Sequence, residues 1–175
     1  MENTFSRPII PPNEPERLRA LARYKLMDSP PEGAFNHIAE MAARLFHVPI
    51  ALVNLVGDTT VWTKASVGEI PYGAQVPRGT SLCSLAILDA GPTVFENAPD
   101  EPCLLANPLV AGGFGLRFYA AAPLRTPDGH HIGAVCLVDK QPRTFSAGDQ
   151  KVLEGLARIV MEEIETRYNG PTQPE

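Results

Sequence analysis

Long apolar runs are missing from this 175-residue chain, and no stretch stays apolar for the length a bilayer crossing requires. A charged start followed by an apolar block is also missing: the N-terminal MENTFSRPIIPPNEPE does not read as a signal peptide. Basic charge is short. Fifteen Lys and Arg face twenty Asp and Glu, for a formal net charge of −5. That balance gives no electrostatic footprint for nucleic acid and no basic run for an anionic membrane. Cysteine is sparse, with three residues at Cys83, Cys103 and Cys136. They are far apart and include no C-x-x-C, so neither a disulfide framework nor a zinc ribbon nor a thioredoxin-type pair is indicated. A reducing cytoplasm is the expected compartment.

Several chemical signatures are absent too. G-x-S-x-G does not occur, so a serine nucleophile has no elbow. The four histidines, His37, His47, His130 and His131, form no H-E-x-x-H and no close cluster with Glu, so no metal site is expected. Glycines 112, 113 and 115 in AGGFG do not link a strand to a helix as a phosphate loop must, and they read as a flexible turn.

What is present is an ordinary globular balance, 44% hydrophobic and 20% charged, in a length that fits one domain. Residues 1–13 are proline-rich and expected to be flexible, as is the polar tail 169–175, leaving 14–168 as the domain. EPERLRALARYKLM predicts a helix. The stretch DSPPEGAFNHIAEMAARLFHVP predicts a second, with Ser29 and Glu32 as a capping box and Pro30 at its first position. IALVNLVG and TTVWTKASVG predict a hairpin across Gly57-Asp58. LCSLAIL predicts a short buried helix, and PTVFEN a short strand. LRFYAAAPLRT and HIGAVCLVD predict a hairpin across Pro127-Asp128-Gly129. A long helix closes the chain, with Ser146 as N-cap, Asp149 in its first turn, and a stripe of Leu153, Leu156, Val160, Ile164 and Tyr168. Helices at the ends and hairpins between them indicate an α+β fold with an antiparallel sheet. The irregular stretch from Glu69 to Leu116 is long for a compact domain, and such stretches are usually functional.

Candidate site residues flank that stretch. Trp62 and Lys64 precede it. Asn107 lies within it, and Arg117, Phe118 and Tyr119 follow. Singly they read as core or surface; together they suit a small pocket with apolar walls and a few placed polar groups. Cys83, in GTSLCSLAIL, sits among Leu82, Leu85 and Ile87. Free cysteine often behaves as a small hydrophobe, so packing is favoured over chemistry. Cys136 reads as core. Cys103 follows Asp100 and Glu101, acidic neighbours that raise a thiol's pKa.

The stretches RLRALARYKLMDSPPEGAFNHIAEMAARLF, IALVNLVGDTTVWTKASVG, SLCSLAIL and ANPLVAGGFGLRFYAAAPLRTPDGHHIGAVCLVDKQPRTFSAGDQKVLEGLA resemble the GAF domain family. These are small-molecule-sensing modules, and the subgroup resembled is found at the front of bacterial sensor histidine kinases and diguanylate cyclases. The resemblance runs from about Glu16 to Arg167. It implies a central antiparallel sheet of five or six strands, terminal helices on one face and a ligand pocket on the other. It implies a non-catalytic regulatory role, with an unidentified small-molecule ligand near Trp62, Cys83, Asn107, Arg117, Phe118 and Tyr119. It also implies a homodimer through the terminal helices and a histidine kinase or cyclic-diguanylate signalling partner. The chain is expected to be a stand-alone module acting through a partner, or an excised piece of a longer protein.

Other branches of the family bear on Cys83. Bilin-binding members carry a histidine after the attachment cysteine, where Ser84 stands here, so a covalent bilin is not expected. The Asn-Lys…Phe…Asp-Glu signature of cyclic-nucleotide binders is not found. In free methionine-R-sulfoxide reductases, GTSLCS resembles the stretch bearing one pocket cysteine, and Cys103 falls in the segment bearing another, while the cysteine expected upstream is absent. A reductase using Cys83 and Cys103 is the alternative reading. A ligand-free dimerisation module is a third.

Overall fold

Seven consecutive residues of the first strand, β1 (Ile50–Val56), are buried. Burial on both faces requires a central strand covered above and below. The computed structural model, which describes residues 1–170, supplies both covers. Six antiparallel strands form one sheet in the order β3-β2-β1-β6-β5-β4. Their ranges are β2 Thr60–Val67, β3 Gln75–Pro77, β4 Thr93–Phe95, β5 Phe118–Arg125 and β6 His131–Asp139. Both expected hairpins form, β1–β2 and β5–β6. In the second, Gly129 adopts φ 91°, which its lack of a Cβ permits.

Three helices cover one face: α1 (Glu14–Arg23), α2 (Gly33–Phe46) and α5 (Ala147–Tyr168). Helix α2 buries Phe35, Ile38, Ala39, Ala42 and Ala43, a stripe at helical spacing. Helix α5 buries Leu153, Leu156, Ala157, Val160, Met161 and Ile164. Its start is fixed reciprocally. Asp149 N–H donates to Ser146 Oγ at 3.0 Å, and Ser146 N–H donates to the Asp149 carboxylate at 2.9 Å. Tyr168, the last member of the expected stripe, is 49% exposed and packs edge-on against Tyr24.

The other face is capped by short pieces: α3 (Cys83–Ala86), α4 (Pro108–Ala111) and two 3-10 turns at Ala98–Asp100 and Pro102–Leu104. Residues 1–13, expected to be flexible, are part of this cap. Phe5 and Ile9 are buried in its apolar cluster, and Thr4 N–H donates to Gly79 O at 2.9 Å. Two large apolar side chains in the segment drive that burial. Of the expected flexible tail, residues 171–175 lie outside the described residues.

The second helix starts later than its apparent capping box. Glu32 is the extended N-cap residue and makes no side-chain cap bond. Pro31 disfavours helical geometry at Pro30, which pushes the helix start past both prolines. Ser29 instead donates to Leu26 O at 2.6 Å and accepts from Lys64 Nζ at 2.6 Å. Lys64 is itself the extra residue of a β-bulge, since Val53 pairs with Ala65 and Asn54 with Thr63. Its buried ammonium also meets Pro30 O and the Glu32 carboxylate, and burial lowers its pKa against the pull of Glu32.

Candidate functional site

Strand alternation decides which side chains can meet. On the helix-covered face the sheet presents Ala51, Val53, Leu55, Trp62, Phe118, Ala120, Val135 and Leu137. On the capped face it presents Ile50, Leu52, Tyr119, Ala121, Ala134, Cys136 and Val138. Trp62 and Phe118 therefore point away from the cap, into the core beneath the helices. The sequence could not show this, because the face of each strand residue depends on register and on the bulge at Lys64.

Cys83 and Tyr119 meet at the centre of the capped face. The Tyr119 hydroxyl donates to Cys83 Sγ at 3.2 Å, and Asn54 Nδ2 donates to the same sulfur at 3.3 Å. The third neighbour is Cys136, whose Sγ lies 3.0 Å from that of Cys83 and 3.5 Å from the Tyr119 oxygen. Both thiols are free and buried. The four groups come from four elements. Asn54 and Cys136 stand on the paired central strands, Tyr119 on β5 and Cys83 at the start of α3. The strands can approach closely here because residue 133 is glycine. A Cβ at that position would lie 2.1 Å from Asn54 O.

The electrostatics separate the two sulfurs. The Cys136 thiol, followed by Tyr119 and Asn54, directs donors at Cys83 and lowers its pKa against the opposing effect of burial. Burial and the neighbouring Cys83 raise the Cys136 pKa. Burial, then the two sulfurs, raise that of Tyr119. Of the two sulfurs, Cys83 is the one whose ionised form its surroundings favour. Asn54 Oδ1 is buried and makes no hydrogen bond.

Asn107 and Arg117 hold the cap rather than facing this cluster. Asn107 Oδ1 accepts from Leu109 N–H, capping α4, while its Nδ2 donates to Thr80 O at 2.8 Å and Thr4 Oγ1 at 3.1 Å. Arg117 donates to the carbonyls of Val110 and Leu116 at 3.1 and 2.8 Å. Cys103 is half-buried at the edge of the capped cluster and is not among the groups bonded to Cys83.

Sequence reasoning missed Asn54, the partnership of Cys136, and a buried charge clamp. Asn54 is the one polar residue inside IALVNLV, a signal that was available. In the clamp, the Glu14 carboxylate binds both Arg17 and Arg78, whose guanidinium groups are buried. Arg17 also donates to Val56 O at 2.7 Å, and Arg78 to Asp58 O at 3.2 Å. Burial raises the Glu14 pKa, but hydrogen bonds from Arg17 and Arg78 outweigh it and hold the carboxyl at about 2. The clamp ties α1 to the loop that enters α3.

The described concavities lie elsewhere. One of about 450 Å³ runs along α5 and β5, lined by Ala122, Arg125, Ala157, Arg158 and Met161. Another, about 610 Å³, opens beside Met1–Thr4 and Arg78. A third, about 210 Å³, is lined by His47, Phe118 and Arg143. Around Cys83 the space between sheet and cap is filled by side chains, including Leu82, Leu85, Leu104 and Leu116. Among the described residues no group of three or more His, Cys, Asp or Glu is placed to hold a metal ion, and no helix is long and apolar enough to cross a membrane.

The model of the GAF domain family matches residues 30–164. The chain belongs to the GAF domain family. This GAF domain is 35% identical over 161 residues to a cyclic di-GMP phosphodiesterase of Pseudomonas aeruginosa; the match covers 91% of the chain and 27% of that protein. The chain thus spans about a quarter of the length of that relative. Among solved structures, the fold is similar to a free methionine-R-sulfoxide reductase from Neisseria meningitidis, with TM-score 0.65, 17% identity, and coverage of 90% of this chain and 89% of that one. It is also similar to the GAF domain of an Acinetobacter phosphoenolpyruvate-protein phosphotransferase, with TM-score 0.63, 16% identity, and coverage of 86% and 91%. At such identities the likeness establishes the fold, an α+β domain with a six-stranded antiparallel sheet.

Proposed function

We propose that this GAF domain is a non-catalytic sensing module. A small molecule enters between the sheet and its cap, and the bound state acts through a dimer or a partner protein on a signalling effector. The observation that carries this reading is the match of nearly the whole chain to a quarter of a cyclic di-GMP phosphodiesterase. It supports a regulatory unit whose output is cyclic-diguanylate signalling.

The geometry agrees with entry at the capped face. The cap is built from helices of four residues and 3-10 turns, which open locally at less cost than α2 or α5. Beneath it sits Asn54 Oδ1, a buried acceptor without a donor. The ligand favoured is small, largely apolar, and carries a hydrogen-bond donor for that oxygen. Its signal is limited by its differential affinity for the closed and open arrangements.

The dimer reading rests on the outer faces of the helices. Val152 and Ile159 on α5, and Met41 and Leu45 on α2, are exposed apolar side chains. The reductase reading requires Cys83 to meet Cys103, whereas the sulfur that Cys83 contacts is that of Cys136.

Native mass spectrometry of the purified chain, compared with the same sample after denaturation, tests the proposal. A small molecule retained only in the native spectrum, on a dimer, is the expected result. A monomer that retains nothing, and whose melting temperature no metabolite in a broad panel raises, would contradict it.

A further inference from the structure

The thiol pair at the centre of the capped face has no part in ligand sensing as described above. Its geometry is nonetheless that of a reactive site. Cys83 Sγ lies 3.0 Å from Cys136 Sγ, and closing to a disulfide at about 2.05 Å needs a movement of only about 1 Å. Cys83 receives the Tyr119 O–H and the Asn54 amide N–H, two donors that favour a thiolate. Burial favours the protonated form of Cys136 next to it. A nucleophilic sulfur, a donor hydroxyl and a resolving thiol are therefore in mutual contact at the seam between the cap and the sheet.

We propose that Cys83 and Cys136 form a peroxide-oxidisable dithiol site, with Cys83 as the attacking sulfur and Cys136 as the resolving one. The co-reactant is a hydroperoxide, small and neutral enough to pass when the cap opens. The Cys83 thiolate attacks one peroxide oxygen. The O–O bond breaks, and the departing oxygen takes a proton from Tyr119 and leaves as water or an alcohol. Cys83 is then a sulfenic acid, oxidised by two electrons. Cys136 gives its proton to Tyr119 and attacks the Cys83 sulfur. The S–O bond breaks, and the departing hydroxide takes a proton from solvent and leaves as water, replacing the proton that Cys83 released to solvent when it ionised. The sum is two thiols and one hydroperoxide giving one disulfide, one water and one water or alcohol. A dithiol reductant restores the pair by exchange.

The disulfide would fasten α3 to the central strand β6 and hold the cap shut. The site thus adds a redox input to the domain, and it stands whether or not a separate ligand exists. Tyr119 acts here as proton donor and carrier. Cys103 has no role.

The test is peroxide treatment of the intact chain, followed by alkylation under denaturing conditions and mass spectrometry. The expected result is loss of two hydrogens from the intact mass, a Cys83–Cys136 cross-linked peptide, and recovery of all thiols with a dithiol. The Cys103→Ser variant should behave identically. Cys136→Ala should yield a sulfenic acid at Cys83, trapped by a dimedone reagent, and no cross-link. Three thiols still alkylated after peroxide, or a cross-link that contains Cys103, would overturn the assignment. Because the Cys103→Ser arm leaves the buried site untouched, the test holds even where Cys136→Ala fails to fold.

Discussion

The two faces of the sheet are built from different materials. Under the helices lies a continuous apolar core: Phe35 and Ile38 from α2, Leu153 and Val160 from α5, and Val53, Phe118 and Leu137 from the strands. Under the cap, the same strands carry Asn54, Tyr119 and Cys136, and the elements above are a few residues long. Long helices bury stripes and supply stability. Short caps bury less, tolerate polar groups at their centre, and open more readily. One face holds the domain together so that the other can be chemical.

The largest effects are expected where the comparison is most one-sided. Phe35→Ala empties fully buried volume on the helix face and should cost about 3–5 kcal/mol in denaturant melts. A loss under 1 kcal/mol would place less of the stability there than the two-face account requires. The charge clamp between α1 and the cap should matter almost as much. Glu14→Ala leaves Arg17 and Arg78 buried without their carboxylate, at about 3 kcal/mol. The same clamp has a pH signature. The Glu14 carboxyl is held at about 2, below the ordinary 4.5, so its contribution is full above pH 4.5 and is lost as the pH falls toward 2. Acid melts of wild type should show that loss, and Glu14→Gln should flatten it.

Gly133→Ala tests the join between the faces. Its new Cβ would meet Asn54 O and force β1 from β6, with a cost of about 1–3 kcal/mol by thermal melting. The smallest stability effect is expected at the capped centre. Tyr119→Phe removes the hydroxyl that meets the two sulfurs and should cost about 1 kcal/mol. It should nevertheless raise the pH at which Cys83 becomes alkylatable. A large stability loss with no change in that pH profile would make Tyr119 a helix-face residue in all but position.

The sequence made the element order legible because periodicity and turn chemistry are local. The capping box of Ser146 and Asp149 and the turn at Gly129 are set by neighbours within a few residues. The failures are non-local or competing. Ser29 had the right spacing for a cap, but Pro31 displaced the helix start and Lys64 claimed its hydroxyl. Trp62 and Phe118 flank the irregular stretch in sequence, but strand register turns them to the helices. Cys136 was read as core, which its burial matches, but its contact with Cys83 depends on where α3 lands over β6. The Glu14 clamp joins residues 64 positions apart through buried arginines, which composition alone marks as surface.

Hydrogen exchange of the intact chain measures directly whether the capped face opens while the helix face holds. Amides of α3 and of the segment 102–116 should exchange by local opening, well below the global unfolding free energy. Those of α2, β1, β6 and α5 should exchange only with global unfolding. Equal protection of α3 and α5 would contradict the account.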